Sequence, residues 1–265
     1  MINWTLYKKE LRSNLFLAII FVAIITLYGT MIVAMFDPAL SDVFRQFADS
    51  MPGIMNLMGF GIIPDTMTNF IYALLYGFLF IVFPMIFTIL VTQKLVYRYI
   101  DKGSMAYLLA TPNSRFKIIF TEFLVLFTYI FILVIYSFTL ITSTAVLLYP
   151  GTLDILNFLY GNLSLLLILL FISSITFFSS AVISGKYTTG ITVGLPVLFF
   201  VFKLIGNLGE DYHIVRYFTP FSLFNVDYIS TYDPMSCLFN GILLIGSTVI
   251  FGLAFYLFER RDLSI

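Results

Sequence analysis

Apolar residues run along this chain in six long blocks, 15–36, 68–93, 118–148, 158–183, 189–208 and 236–258. The polar stretches between them are too short to hold another domain. A helix needs about 20 mainly apolar residues to cross a bilayer core, so each block predicts one membrane-spanning helix. The blocks lack the two-residue alternation of barrel strands, and a helix pairs every backbone group within its own segment, as lipid requires. The 118–148 block exceeds one bilayer thickness and is expected to tilt or to extend past the lipid. Pro84 and Pro196 fall inside the second and fifth blocks and predict kinks there.

The short polar stretches orient the spans. Lys8, Lys9, Arg12, Lys94, Arg98, Lys102, Arg115, Lys117, Lys186, Arg260 and Arg261, eleven of the 14 basic residues, fall on one side. Arg45, Lys203 and Arg216 are left for the other. Acidic residues lean the opposite way, with Asp37, Asp42, Asp49, Asp65, Asp154, Glu210, Asp211, Asp227 and Asp233 opposite the basic side. The positive-inside rule then predicts six spans with both chain ends in the cytoplasm. The first block has a basic flank but is too long for a signal-peptide core and lacks a small-x-small cleavage site, so it counts as a span.

Composition agrees with this pattern. Hydrophobic residues make up 60% of the 265 residues and charged ones 11%, with mean hydropathy +1.02; soluble domains carry about 25% charge. The net charge of zero does not point to nucleic acid. A single cysteine, Cys237, excludes an intramolecular disulfide framework.

Four of the segments outside the spans carry patterns of their own. In 2–13, Trp4, Tyr7 and Leu11 share one helical face and Lys8, Lys9 and Arg12 another, which predicts a short basic helix on the cytoplasmic membrane surface. In the outer loop 37–67, Asp37-Pro38 reads as an N-cap followed by a first helical residue, and Leu40, Val43, Phe44, Phe47 and Met51 repeat with helical period up to Pro52-Gly53. The cytoplasmic segment 94–117 contains a short helix from Gly103 to Pro112, after which Asn113 or Ser114 caps the third span. Its Leu108 and Leu109 form an apolar knob that needs either a partner surface or the bilayer to cover it. The outer segment 209–235, broken by Pro220 and Pro234, carries Tyr212, Tyr217, Phe218, Phe221, Phe224, Tyr228 and Tyr232 and suits short helices dipping into the outer leaflet.

Catalytic patterns are missing. The Gly185-Lys186 pair is followed by Tyr187, so no phosphate-cradling G-x-x-x-x-G-K-[ST] loop is present. One His (His213) and one Cys make a poor supply of metal ligands, and neither G-x-S-x-G nor H-E-x-x-H occurs. Within the blocks, Glu122 lies about one turn beyond Lys117, near enough to the interface to reach water or a cation, and Lys203 is expected to snorkel outward. Neither sits at the midplane, where a proton- or sodium-coupled carrier would place a carboxylate. Small residues repeat every fourth position at Thr26, Thr30 and Ala34 and at Thr176, Ser180 and Ser184, which allows close helix packing within one subunit.

This order of pieces resembles the ABC-2 type membrane subunits of ABC transporters. Gly103-Ser104 through Leu108-Leu109-Ala110-Thr111-Pro112 to Ser114-Arg115 is similar to the family's G-[ST]…L-L…-P-x-S-R stretch. Thr219-Pro220-Phe221 resembles its Thr-Pro-Phe before the last span, and Phe258-Glu259-Arg260-Arg261-Asp262-Leu263 its C-terminal F-x-x-R-D-[ILV]. The outer Met51-Pro52 to Phe60-Gly61 stretch fits one branch, and the likeness covers essentially the whole chain. Glu122 departs from the pattern, standing near where many relatives carry lysine, so it inherits no role.

The resemblance implies an all-α integral membrane fold, a single ABC-2 (type V exporter) domain over 1–265 with a re-entrant outer hairpin before the last span, in a bacterial or archaeal plasma membrane. It makes Gly103–Pro112 a coupling helix inserted in a groove of a separate ATPase, with Gly103, Ser104, Tyr107, Leu108, Leu109, Thr111 and Pro112 as docking residues. The interface helix, through Trp4, Tyr7, Lys8 and Leu11, would flank the same contact. Two ATPase copies and a second permease subunit, identical or homologous, would complete an assembly embedded in lipid. ATP and magnesium would bind the ATPase, with no cofactor on this chain and no nucleic acid. An apolar interior favours export of a hydrophobic or amphipathic cargo (a peptide, toxin, antimicrobial or drug) over long polysaccharides, with export of lipid or lipid-linked glycan as the alternative within the family. The rival classes are an ATP-independent channel or secondary carrier, and an intramembrane enzyme, for which no nucleophile–base or metal set is found.

Overall fold

A computed structural model describes residues 2–37, 65–101, 114–183, 187–208 and 212–261, with Val43, Gln46, Asp49, Ser50, Met51 and Gly53 besides. The described residues form helices and connecting turns. Six helices are long and apolar enough to cross a membrane: α1 (Trp4–Ala34), α2 (Met67–Tyr97), α3 (Arg115–Leu148), α4 (Ile155–Val182), α5 (Thr188–Gly206) and α8 (Pro234–Arg260). Between α5 and α8 stand α6 (His213–Arg216), a 3-10 turn (Pro220–Leu223) and α7 (Val226–Ser230). The helix expected in the loop 37–67 falls almost wholly outside the described residues.

Five of the six long helices, all but α5, start beneath a side chain that accepts from an otherwise orphaned backbone N–H. Asn3 caps α1, Thr66 caps α2, Asp154 caps α4, and Asp233 caps α8 with Pro234 at the first helical position. Of the two caps expected for the third span, Ser114 is the one used, accepting from Lys117 N–H at 3.2 Å. The segment 2–13 is not a separate surface helix, because α1 runs from Trp4 to Ala34 as one rod. No glycine or proline interrupts it before Gly29, and Asn14, where a break was expected, bonds back to the Glu10 carbonyl at 3.0 Å. The buried face also differs from the expected one: Leu6, Glu10, Asn14 and Ala18 point inward, while Trp4 is 62% exposed.

Interhelical bonds fix the topology. Asn3 N–H donates to Thr121 Oγ1 at 3.1 Å, and Gly29 lies against Leu140 and Ile141, so α1 and α3 run side by side in the same direction. The Tyr99 and Ala181 contacts described below bring the ends of α2 and α4 to the same end of the bundle as Asn3 and Arg261. That end carries Lys8, Lys9, Arg12, Lys94, Arg98, Arg115, Lys117, Arg260 and Arg261 and is termed the basic end. At the opposite, acidic end, Tyr149 donates to the Ala34 carbonyl at 3.2 Å, and Thr68 accepts from Asp154 N–H at 3.0 Å.

α4 is the central helix. Its apolar window is 72% buried, against 33% for α1 and 28% each for α5 and α8, whose outer faces carry exposed Leu, Ile, Val and Phe. Four of its hydroxyls are satisfied locally: Ser173, Ser174, Thr176 and Ser179 donate to carbonyls three residues back on the same helix. Thr176 also meets Thr92, and Ser180 meets Thr192, so this stripe packs helices within one chain. Ser184 is outside the described residues.

α2 carries Pro84 in its middle and widens to a π-helix at Tyr72–Leu79 and at Gln93–Tyr97. The first π segment buries Tyr72 and Tyr76, and Tyr72 donates to the Asn157 carbonyl at 2.7 Å. Only a glycine at 161 permits this approach, because a Cβ there would stand 2.2 Å from the Tyr72 hydroxyl oxygen. Gly161→Ala should therefore destabilise the bundle by on the order of 1–3 kcal/mol. Gly194→Ala, with nothing within 4 Å of the added carbon, should leave it unchanged. Melting curves of the two variants in one detergent check the contrast.

Candidate functional site

The basic end is built from the first turns of α1 and α3 and the last turns of α2, α4 and α8. Tyr99, just past α2, donates to Glu10 Oε1 at 2.5 Å, and Lys9 Nζ donates to the Tyr99 hydroxyl at 3.0 Å while lying 3.7 Å from the same carboxylate oxygen. Burial and the bond to Glu10 hold the Tyr99 hydroxyl above its ordinary pKa, so it remains a donor. Two further ties join α1 to α3: the Tyr7 hydroxyl lies 2.9 Å from Thr128 Oγ1, and Tyr129 donates to the Leu11 carbonyl. α1 is therefore fastened to both α2 and α3 where it leaves the bundle.

Arg261 fastens the other side. Its guanidinium donates to the Ala181 carbonyl at 2.5 Å and to the Ile183 carbonyl at 3.3 Å, capping the orphaned C-terminal carbonyls of α4 with a cation. Arg115 at the start of α3 donates to the Arg261 carbonyl at 2.5 Å. Phe258, one turn earlier, is fully buried. The Phe and Arg of the C-terminal motif thus work as an anchor and a clamp joining α3, α4 and α8.

The expected site residues divide in two. Gly103, Ser104, Tyr107, Leu108, Leu109, Thr111 and Pro112 all lie outside the described residues. On α1, Tyr7 and Leu11 make the ties just described, whereas Trp4, Lys8, Lys9 and Arg12 line an open basin of about 440 Å³ facing away from the bundle. Sequence reasoning passed over Glu10, Asn14 and Tyr99. The available signal was the four-residue spacing of Leu6, Glu10, Asn14 and Ala18, which puts two polar side chains on an otherwise apolar stripe.

Glu122 and Lys203 are both placed differently from expectation. Glu122 does not reach water: it is 1% exposed, and neither of its oxygens has a hydrogen-bond partner among the described residues. Lys203 does not snorkel. It is 8% exposed and donates to the Gly77 carbonyl of the first π segment at 2.7 Å, with the rings of Phe200 and Phe221 5.8 and 6.0 Å away. The segment after α5 folds back and encloses it. There Thr219 caps the 3-10 turn and Pro220 begins it, and Phe221 is inserted against Phe200 at 5.9 Å. Asn157 on α4 holds α7 by donating to the Ile229 and Ser230 carbonyls at 3.2 and 2.9 Å. Burial raises the Asp227 carboxyl above its ordinary range, with Arg216 pulling the other way.

A third feature is a crevice of about 330 Å³ between α3, α4 and α8, walled by Phe123, Phe127, Phe251 and Phe255, with Ser247 and Thr248 as its polar points.

The family model described as ABC-2 family transporter protein matches residues 4–263. The chain belongs to the ABC-2 transporter family. Comparison with curated proteins and with solved structures finds no match. As an ABC-2 protein with six apolar helices, it is a multi-pass membrane component of a transport system, and the family in general works with an ABC ATPase. The Thr-Pro-Phe and F-x-x-R segments of this ABC-2 chain are accounted for by packing: one seats a turn, the other clamps helix ends.

Arg261→Ala should leave the α4 carbonyls uncapped and lower stability by on the order of 2 kcal/mol, as for hydrogen bonds to a charged group. Arg261→Lys, with a single ammonium in place of the fork, should recover part of it. Thermal unfolding of wild type and both variants in detergent tests the clamp.

Proposed function

We propose that this ABC-2 protein is the permease subunit of an ATP-driven exporter, with its basic end in the cytoplasm. The observation that carries the reading is the family match over 4–263 on a chain that lacks a phosphate-cradling loop. The energy then comes from a separate ATPase. Gly103–Pro112 is the coupling helix, Leu108 and Leu109 are its knob, and the Trp4–Lys8–Arg12 basin flanks the contact. Two copies of the ATPase and a second permease subunit, identical or homologous, complete the assembly. The chain is the bistable element, and nucleotide biases it.

The cargo is hydrophobic or amphipathic, a peptide, toxin, antimicrobial or drug. An apolar interior and the phenylalanine-walled crevice support this class, because a long glycan would need polar partners along its path.

Replacing Leu108 and Leu109 with Asp puts two charges on the knob. The double variant should insert and melt like wild type yet lose co-purification of the ATPase subunit by at least tenfold. Retention of the ATPase at the wild-type level would refute the coupling-helix assignment. Efflux of glycan substrates from intact cells, with no movement of peptides or drugs, would refute the cargo class.

A further inference from the structure

The first π segment of α2 has no local reason to be wide. Residues 72–79, Tyr-Ala-Leu-Leu-Tyr-Gly-Phe-Leu, are ordinary helix residues apart from Gly77. Yet Phe80 N–H reaches back to the Leu75 carbonyl, five residues earlier, where an α-helix would use the fourth. Pro84 withholds its N–H from a carbonyl four or five residues back, that of Phe80 or Leu79, and so does not bear on the Gly77 carbonyl. Packing depends on the wide turn: it seats Tyr72 in the gap at Gly161 and stacks Tyr76 on Phe224.

The contact from outside the helix is Lys203. Its ammonium donates to the Gly77 carbonyl at 2.7 Å across the α2–α5 seam. Phe200 and Phe221 stand within the range at which a ring face attracts a cation, and Phe200 also packs on Phe78 at 5.5 Å. Among the described residues no carboxylate pairs with Lys203. Arg216, whose backbone lies against Gly206 one turn further along α5, is a second cation. Methionine would fill the same space without the cost of burying an ammonium. What the lysine adds is a directed bond to one carbonyl of one turn.

We propose that Lys203 is the positioning residue for the π register of α2. Its bond to Gly77, sealed by Phe200 and Phe221, selects the wide turn over an α turn. A π turn closes on the fifth residue and an α turn on the fourth, so the segment accommodates one residue more than an α-helix would. Without the ammonium the segment returns to α bonding, and the parts of α2 before and after it turn relative to one another. The inference is independent of the exporter reading, since it concerns contacts within this chain.

Thiol cross-linking of the full-length protein in lipid nanodiscs tests it. The first span and the residues just after it touch α2 on both sides of the segment, Phe36 with Phe70 at 5.4 Å before it and Tyr28 with Phe83 at 5.8 Å after it, ring to ring. With the native thiol removed by Cys237→Ser, a short bifunctional reagent should join Phe36→Cys to Phe70→Cys and, in a second protein, Tyr28→Cys to Phe83→Cys. Lys203→Met should abolish at least one of the two links. Deleting Leu74 from the Lys203→Met chain should restore both, because it removes the residue that the wide turn accommodates; a lysine that only filled space would give no such rescue. If Lys203→Met does not fold by itself, the same deletion should restore a monodisperse protein in detergent. Survival of both links in Lys203→Met would assign the wide turn to Pro84 and overturn the proposal. Failure of the Leu74 deletion to bring back the lost link, or the fold, would overturn it as well.

Discussion

A polar group buried in a bundle that spans lipid has to find its partner inside the bundle, since hydrocarbon offers none. Most of the described structure follows from that constraint. Serines and threonines on α4 turn back to their own helix, Asn157 reaches across to the carbonyls of α7, and Tyr72 reaches a carbonyl of α4 through a gap that Gly161 leaves open. Even the cations obey it. Lys203 takes a carbonyl of the π segment, and Arg261 takes two carbonyls at the end of α4. Glu122 departs from it with both carboxylate oxygens unpartnered among the described residues, near the end where the helices meet the N-terminal rod.

These bonds divide the molecule mechanically. At the basic end, α1 is tied to α2 and α3 through Tyr99, Thr128 and Tyr129, and Arg261 ties α3, α4 and α8. A push at that end is therefore received by linked rods rather than by one helix. At the acidic end, the folded-back segment is seated by Phe221 and Phe224 against α5 and α2, the ring of Phe224 stacked on Tyr76 of the first π segment. α2 touches both networks, and its two π segments sit one near each end. Such wide turns are common at functional positions in helices.

Six spans were legible because about 20 consecutive apolar residues have few other uses. Their starts were legible to within a residue where capping side chains precede the block, as with Asn113 and Ser114, of which Ser114 is the cap. The union of 2–13 with the first span was harder to read: the switch from mixed to apolar residues after Arg12 looks like a boundary, although nothing there breaks a helix. Periodicity shows which residues share a face but not what that face meets. Trp4, Tyr7 and Leu11 stood out by size, whereas the buried stripe holds Glu10 and Asn14. The enclosure of Lys203 depends on a segment folding back from residues beyond α5, and Thr121, beside Glu122, is tied to Asn3, 118 residues away in the chain. No local pattern carries either. The coupling segment was read from residue order alone and lies outside the described residues.

The central claim is that this ABC-2 chain moves cargo only when a nucleotide-driven subunit acts on its basic end. Reconstitution into liposomes with a fluorescent amphipathic peptide inside, with and without an ABC ATPase supplied as the partner, measures it most directly. The account predicts peptide movement only when the ATPase and ATP are both present, and none from the permease by itself. Movement by the purified chain alone, unaffected by ATP, would contradict it.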